Sequence, residues 1–280
     1  MATIDRDRVR RVSSRQNTLV KDLRRAFHNG ELVEGCAAIE GVKTIEEAIR
    51  SGLRFRAVFF ADGAEARIER LLPQISSNTE VLGLPNEVFA SAVETETPQG
   101  AAALVRWPTF SLDDVLTKAE KPLLLGCVGI QDPGNLGTII RSAEAFGAAA
   151  VLLGEKTVSQ FNSKAIRASA GSSFRLPAIV VKAADAGMLK SRGLRLAATS
   201  SHKGVPIDKA DLTGGVIVIV GSEGAGVPRE YMEMADEFIR VPHEEKVESL
   251  NAAVAASVIL YEARRQRASQ HRDAETQRNG

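Results

Sequence analysis

Three loops, two of them glycine-rich, hold the side chains of this 280-residue chain that could do chemistry. The first, GIQDPGNLG at 129–137, brings Asn135 and, six residues later, Arg141. The second, GSEGAGVP at 221–228, brings Glu223. The third, HEEKVESLN at 243–251, brings His243, Glu244, Glu245, Glu248, Ser249 and Asn251. These are carboxamides, carboxylates, a hydroxyl and a guanidinium, groups that bind and orient more readily than they attack. No Walker lysine, nucleophile elbow or His/Cys metal spacing accompanies them. The glycines at 221, 224 and 226 read G-x-x-G-x-G. The dinucleotide fingerprint is G-x-G-x-x-G, with an acidic residue further on that is missing here, which argues against a nucleotide-dependent oxidoreductase. The loops instead suggest backbone held close to a ligand. A helix start at Asn135 or a neighbour would also present free N–H groups suited to a phosphate.

Each of these residues has a plainer structural reading. Asn135 can be a helix cap, Glu223 an exposed turn residue, His243 a solvent-facing loop histidine and Arg141 a surface ion-pair partner. Arg141 nevertheless falls off the Ile139–Ala143–Phe146 core face and can reach a site. The elements that carry the loops are legible. Apolar runs predict strands at 123–128, 149–153, 176–181, 194–199, 216–220 and 238–241, and the loops follow three of them. Helices are predicted at 136–146, 163–170 (capped by Asn162) and 184–191. A final helix starts with Ser249 as N-cap and has one face of Leu250, Ala253, Val254, Ser257, Val258 and Tyr261. Its alanines at 252, 253, 255 and 256 allow another backbone to approach closely. Alternating strands and helices predict an α/β domain with a mostly parallel sheet covered on both faces, and ligands bind past the C-terminal strand ends.

The N-terminal half reads as a second, smaller α/β unit. Helices are predicted at 16–29, 44–50, 65–72 and 87–93, and strands at 57–60, 80–84 and 101–105. The divisions are residues 1–106, a linker at 107–120, the larger domain at 121–267 and a disordered tail at 268–280. The net charge of +1 hides basic clusters at Arg6, Arg8, Arg10, Arg11, Arg15, Lys21, Arg24 and Arg25, and at Arg264, Arg265 and Arg267. Such clusters are the footprint of a polyanion, or else solvated helix faces. Two distant cysteines, Cys36 and Cys127, make neither a disulfide framework nor a metal site. With no secretory signal and no apolar run long enough for a bilayer, the expectation is a cytoplasmic protein without a membrane partner.

The stretches DPGNLGTIIRSAEAFG, VIVIVGSEGAGVP and VESLNAAVAASVILYEARRQ, in that order, resemble the three signature motifs of the SpoU-type RNA 2′-O-ribose methyltransferases of the SPOUT class. NSKAIRASAGSSFRLP is similar to the segment joining the first two. The match spans roughly 121–267. In the N-terminal half, QNTLVKDLRR, GCAAIEGVKTIEEAI and TPQGAAALVR are similar to the substrate-binding domain of the ribosomal-RNA-directed branch, which resembles a ribosomal-protein fold that grips RNA.

The resemblance implies a deep trefoil knot in the catalytic domain, which general folding rules would not suggest. It also implies an obligate homodimer and S-adenosylmethionine as cofactor. By matching positions, backbone at Thr199, Gly221, Val241 and Leu250 would hold the cofactor. Asn135, Arg141, Glu223, Ser249 and Asn251 would form the reaction centre, with no metal. His243 departs from the pattern, which would place an apolar residue after Pro242. The implied reaction moves a methyl group to a ribose 2′-hydroxyl, in 23S ribosomal RNA by the branch that is matched. Transfer RNA and a non-catalytic ribosome-assembly factor on the same fold are the alternatives. Arg141 is either the base of the family or a clamp on the neighbouring phosphate.

Overall fold

A computed structural model describes residues 8–244 and 246–279, with side chains described as far as Gln270. Arg6, Glu245 and the end of the expected tail therefore lie outside what is described. The chain divides into two compact units. One comprises the residues up to Thr109 together with Ser159–Arg175, and the other Phe110–Val158 with the residues from Leu176 on.

The first unit begins with β1 (Val9–Arg11), α1 (Thr18–Asn29), β2 (Cys36–Glu40), α2 (Val42–Arg50) and β3 (Phe55–Ala61). It continues with α3 (Glu65–Glu69), β4 (Glu80–Leu84), α4 (Asn86–Ala90) and β5 (Ala101–Arg106). The strand order is β1-β4-β3-β5-β2, with β3 and β4 parallel and β5 antiparallel to β2 and β3. The helix expected from residue 16 starts at Thr18, where Asn17 Oδ1 accepts from the N–H groups of Leu19 and Val20, and left-handed Gly30 ends it as the sequence predicts. β1 escapes prediction because VRR carries no alternation, yet it pairs with β4. Much of the basic N-terminal cluster is spent inside this unit. Arg8 donates to the carbonyls of Leu72, Ile75 and Ser76, Arg10 and Arg11 pair with Glu80 and with Asp62 and Glu65, and Arg24 bonds Ser91.

The second unit holds α5 (Leu112–Lys118), β6 (Leu123–Cys127), α6 (Pro133–Ala145) and β7 (Ala150–Leu153). The short helix α7 (Ser163–Ala168) belongs to the first unit. The second unit then resumes with β8 (Ala178–Val180), α8 (Ala183–Ser191), β9 (Arg195–Thr199), β10 (Val205–Pro206) and β11 (Val216–Val220). It ends with α9 (Arg229–Met234), β12 (Glu237–Arg240) and α10 (Ala252–Asn279). Its seven strands run in the order β10-β12-β9-β11-β6-β7-β8 and every neighbouring pair is parallel, so the sheet is wholly rather than mostly parallel. Alternate strand residues serve its two faces. Leu123, Leu125, Val216 and Val218 pack on α6 and α10, whereas Leu124, Ile217 and Ile219 pack with Val115, Leu189 and Tyr231. Among the described residues no helix is long and apolar enough to cross a membrane.

Several expectations need correction. Residues 159–175, expected inside the larger domain, pack on the first unit. Ile166 and Phe174 are buried in its core, and Trp107 meets Phe161 and Phe174 edge to face. A helical pattern does not say which sheet it will cover. The expected linker 107–120 is not one, because Trp107 is fixed in the first unit and α5 is packed into the second. The tail expected to be disordered from 268 continues α10 to Asn279, through residues that favour helix and contain no Gly or Pro before the terminus. Ser249 does not cap α10. Asn251 does, accepting at Oδ1 from the N–H groups of Ala253 and Val254 at 3.0 and 3.2 Å.

Candidate functional site

Because β12, β9, β11 and β6 are parallel neighbours, their C-terminal ends lie at one edge of the sheet. The chain leaves that edge through the loops at 129–132, 200–204, 221–228 and 241–251. Three of these are the loops in which the sequence places its polar residues. The loops at 200–204, 221–228 and 241–251 enclose a pocket of ≈ 350 Å³. Thr199, Gly221, Val241 and Leu250 all line it, beside Glu223 and Ser249. Val220, Val227, Met232 and Ile259 give the wall its apolar part, and Ser200, Ser201, Ser222 and His243 add polar groups. Met232 and Ile259 were not singled out from sequence. Ile259 sits with Ala252, Ala256 and Ala263 on the buried face of α10, not on the face expected from the sequence, whose Val254, Val258 and Tyr261 are exposed; α9 and its Met232 give no sequence signal.

The loop after β11 is tightly folded. Gly226 has φ +67° and its N–H donates to the Ser222 carbonyl at 2.9 Å. A Cβ built on Gly221 would lie 2.1 Å from the carbonyl carbon and oxygen of Gly226, so glycine is required by backbone contact. This turn presents Glu223 to two helix starts. Asp132, not Asn135, caps α6, with its Oδ1 accepting from the Asn135 N–H at 2.8 Å and Pro133 following it. The Asn135 side chain is thereby freed. Its Nδ2 donates to Glu223 Oε1 at 3.0 Å and its Oδ1 accepts from Asn251 Nδ2 at 3.1 Å. Asn251 Nδ2 also donates to Glu223 Oε1 at 2.6 Å, and the Ala252 N–H reaches the same oxygen at 3.3 Å. One carboxylate oxygen thus gathers two carboxamides and the first N–H of α10, where a negative charge is favoured by the helix dipole. Asn135 and Asn251, 116 residues apart, meet through Glu223.

Ser249 is exposed and lines the pocket, but makes no side-chain hydrogen bond among the described residues. Arg141 is exposed on α6, outside the pocket lining, and has no hydrogen bond or ion pair among the described residues. The structure therefore joins Asn135, Glu223 and Asn251 and leaves Arg141 apart. The face of α6 beyond it is locked on α10 by the Ser142–Ser257 hydroxyl contact at 2.7 Å and by the Phe146 and Tyr261 rings. His243 is half-buried in the pocket wall, not solvent-facing. Its Nδ1 lies 2.9 Å from the Val241 carbonyl, which fixes the ring, and the His202 ring is 6.4 Å away. Among the described residues no group of His, Cys, Asp and Glu could hold a metal ion. Of the second basic cluster, Arg265 pairs with Glu262, and Arg267 donates to the carbonyls of Leu212, Lys121 and Gly214. Burial lowers the Arg267 pKa from its ordinary value.

The arrangement can bind an organic ligand with a flat apolar part and a cationic part, held largely by backbone. Comparison with known proteins is consistent with that. The model of the SpoU rRNA methylase family matches residues 122–261, and that of the MRM3-like substrate binding domain matches residues 32–103. A 23S rRNA (guanosine(2553)-2′-O)-methyltransferase of Bacillus subtilis, RlmP, is 34% identical over 258 residues, covering 91% of this chain and 100% of the relative. The 23S rRNA (guanosine-2′-O-)-methyltransferase RlmB of Pseudomonas syringae is 32% identical, covering 84% of this chain and 97% of the relative. The crystal structure of the SpoU methyltransferase AviRb from Streptomyces viridochromogenes, in complex with AdoMet, superposes with a TM-score of 0.79 at 27% identity, covering 91% and 99% of the two chains.

Proposed function

This chain belongs to the SpoU rRNA methylase family, and we propose on that basis that it is an S-adenosylmethionine-dependent 2′-O-methyltransferase of 23S ribosomal RNA. The observation that carries the reading is the pocket at the C-terminal strand edge, whose wall residue Glu223 is held by Asn135 and Asn251. Ribosomal rather than transfer RNA is favoured because both relatives named above act on 23S rRNA and the N-terminal half matches a substrate-binding domain.

The pocket fits S-adenosylmethionine on three counts. Its volume lies within the range of small-molecule sites. Its wall combines apolar side chains for the adenine with backbone at Thr199, Gly221, Val241 and Leu250 for the adenosine and methionine parts. The Glu223 carboxylate opposes a sulfonium charge. Bound there, the cofactor supplies a methyl group already activated for transfer. The protein's work is to align the acceptor and help its hydroxyl lose a proton. Asn135, Glu223 and Asn251 hold the loops in register, and Ser249 stands in the pocket wall to orient the acceptor. Arg141 clamps the phosphate beside the target ribose. A guanidinium holds its proton too tightly to act as base, and Arg141 is exposed and has no partner among the described residues.

The reading includes a homodimer. Val254, Val258 and Tyr261, at 50%, 38% and 57% exposure, form one apolar stripe on α10 that a second copy would cover. It also includes a trefoil knot, with the stretch before α10 threaded past the loop after β11. Support comes from the bonds of that loop's Glu223 to Asn251 and Ala252, and from the burial of Ala252, Ala253 and Ala256. The enzyme acts in the cytoplasm, where its substrate is. Mapping ribose methylation in 23S rRNA, before and after incubating undermethylated RNA with the protein and S-adenosylmethionine, tests the proposal. A new 2′-O-methyl group in 23S rRNA supports it. Methylation of transfer RNA alone, of a base, or of nothing overturns it.

A further inference from the structure

The first unit has a pocket of its own that the reaction does not use. It measures ≈ 320 Å³ and lies beyond Ala61 and Leu84, the C-terminal ends of the parallel neighbours β3 and β4, next to the start of β5. In α/β sheets that edge is where ligands bind. Asp62, Arg67, Asn86, Phe89, Pro98 and Gln99 line it.

The pocket is preformed. Gly100, at φ +76°, lets the 98–100 segment lie against Ala64 so closely that a Cβ would come within 2.9 Å of the Ala64 Cβ. Arg67 Nη1 donates to the Gln99 carbonyl and ties α3 to the same segment. The charges at the rim are sorted. Arg11 engages Asp62 and also Glu65, at 2.8 Å, which neutralises the acids on that side. Two groups keep unused capacity. Arg67 has donors beyond the one on Gln99, and the exposed Asn86 carboxamide makes no hydrogen bond among the described residues. A guanidinium suits a phosphate, and a carboxamide offers both a donor and an acceptor to a base edge. Unpaired RNA bases are recognised through such edges.

We propose that this pocket takes one unpaired nucleotide of the RNA substrate, with Arg67 on its phosphate and Asn86 on the edge of its base. The proposal rests on the methyltransferase reading above and localises RNA recognition within the residues matched to a substrate-binding domain.

The test uses the full chain and a stem–loop fragment of 23S rRNA that the wild-type protein methylates. Asn86→Ala, Arg67→Ala and the double variant are compared for RNA affinity across a salt series, S-adenosylmethionine affinity and melting temperature. The double variant should bind the fragment about tenfold or more weakly, and Arg67→Ala should lower the salt slope by about 1. Cofactor affinity should not change. Asn86→Ala should weaken the unpaired fragment while leaving a fully paired control as it was. If Arg67→Ala also lowers the melting temperature, Asn86→Ala decides, since its side chain holds nothing in place. Unchanged RNA affinity in Asn86→Ala and the double variant, with wild-type methylation intact, overturns this inference alone. Failure of the wild type to methylate any RNA overturns the proposed function instead.

Discussion

Gly221→Ala probes the tightest point of the candidate site. A Cβ there would lie 2.1 Å from the carbonyl carbon and oxygen of Gly226 and 2.3 Å from the Val227 nitrogen, where ordinary contact begins near 3.4 Å. The obstacle is backbone, which has no rotamer to escape into, so the turn must open by more than 1 Å. Forcing a methyl group into such a contact costs about 1–3 kcal/mol, occasionally more. The same turn lines the pocket from Gly221 to Val227. If the opened turn no longer holds the cofactor, affinity falls by roughly five- to 150-fold, at about 1.4 kcal/mol per tenfold. Gly224 is the internal control. It lines the same pocket, yet a Cβ on it would meet nothing within 4 Å. Titration calorimetry with S-adenosylmethionine, paired with melting curves, should show Gly221→Ala weakened and Gly224→Ala within about twofold of wild type. Equal affinity in Gly221→Ala and wild type, or equal losses in the two variants, would refute the account of the loop as a backbone wall.

Arg141→Ala should lower methyl transfer at least about a hundredfold, roughly 2.7 kcal/mol, with cofactor affinity unchanged; near-normal single-turnover rates would reject its role. Asn251→Ala should lower stability by about 1 kcal/mol through the lost cap of α10 and also weaken cofactor binding. Ser249→Ala should leave the melting temperature as it was, and a drop there would contradict the cap assignment. Burial pushes the Cys127 thiol up to about 12, and burial likewise raises Cys36. Neither thiol should therefore react with Ellman's reagent at pH 8 until denaturant is added. The hydrogen bond from Arg265, opposed by burial and aided by Gln266, holds the Glu262 carboxyl below its ordinary value of 4.5. A depressed folded pKa gives stability that is present above the unfolded value and lost as the pH falls through the folded one. Glu262→Gln should thus be less stable than the parent at neutral pH, and the gap in melting temperature should close on acidification below 4.5.

Local rules settled a good deal from sequence alone. Apolar runs such as 216–220 fixed strands because a strand covered on both faces must be apolar throughout. Asn162 and Gly30 bounded their helices because capping involves only the next few residues. The three motifs carried the family, and with it the residues around the pocket. The tertiary structure decided whatever depended on partners distant in the chain. Only the fold could bring Asn135, Glu223 and Asn251 onto one oxygen, or free Asn135 by giving its cap to Asp132. Nor could composition show that Arg8, Arg10, Arg11 and Arg24 are spent within the first unit, since a charge count is blind to neighbours. The helix at 163–168 has the same local pattern whichever sheet it covers. Its place beside β2 follows from burying Ile166 and Phe174 in a core whose other residues lie some sixty or more positions earlier.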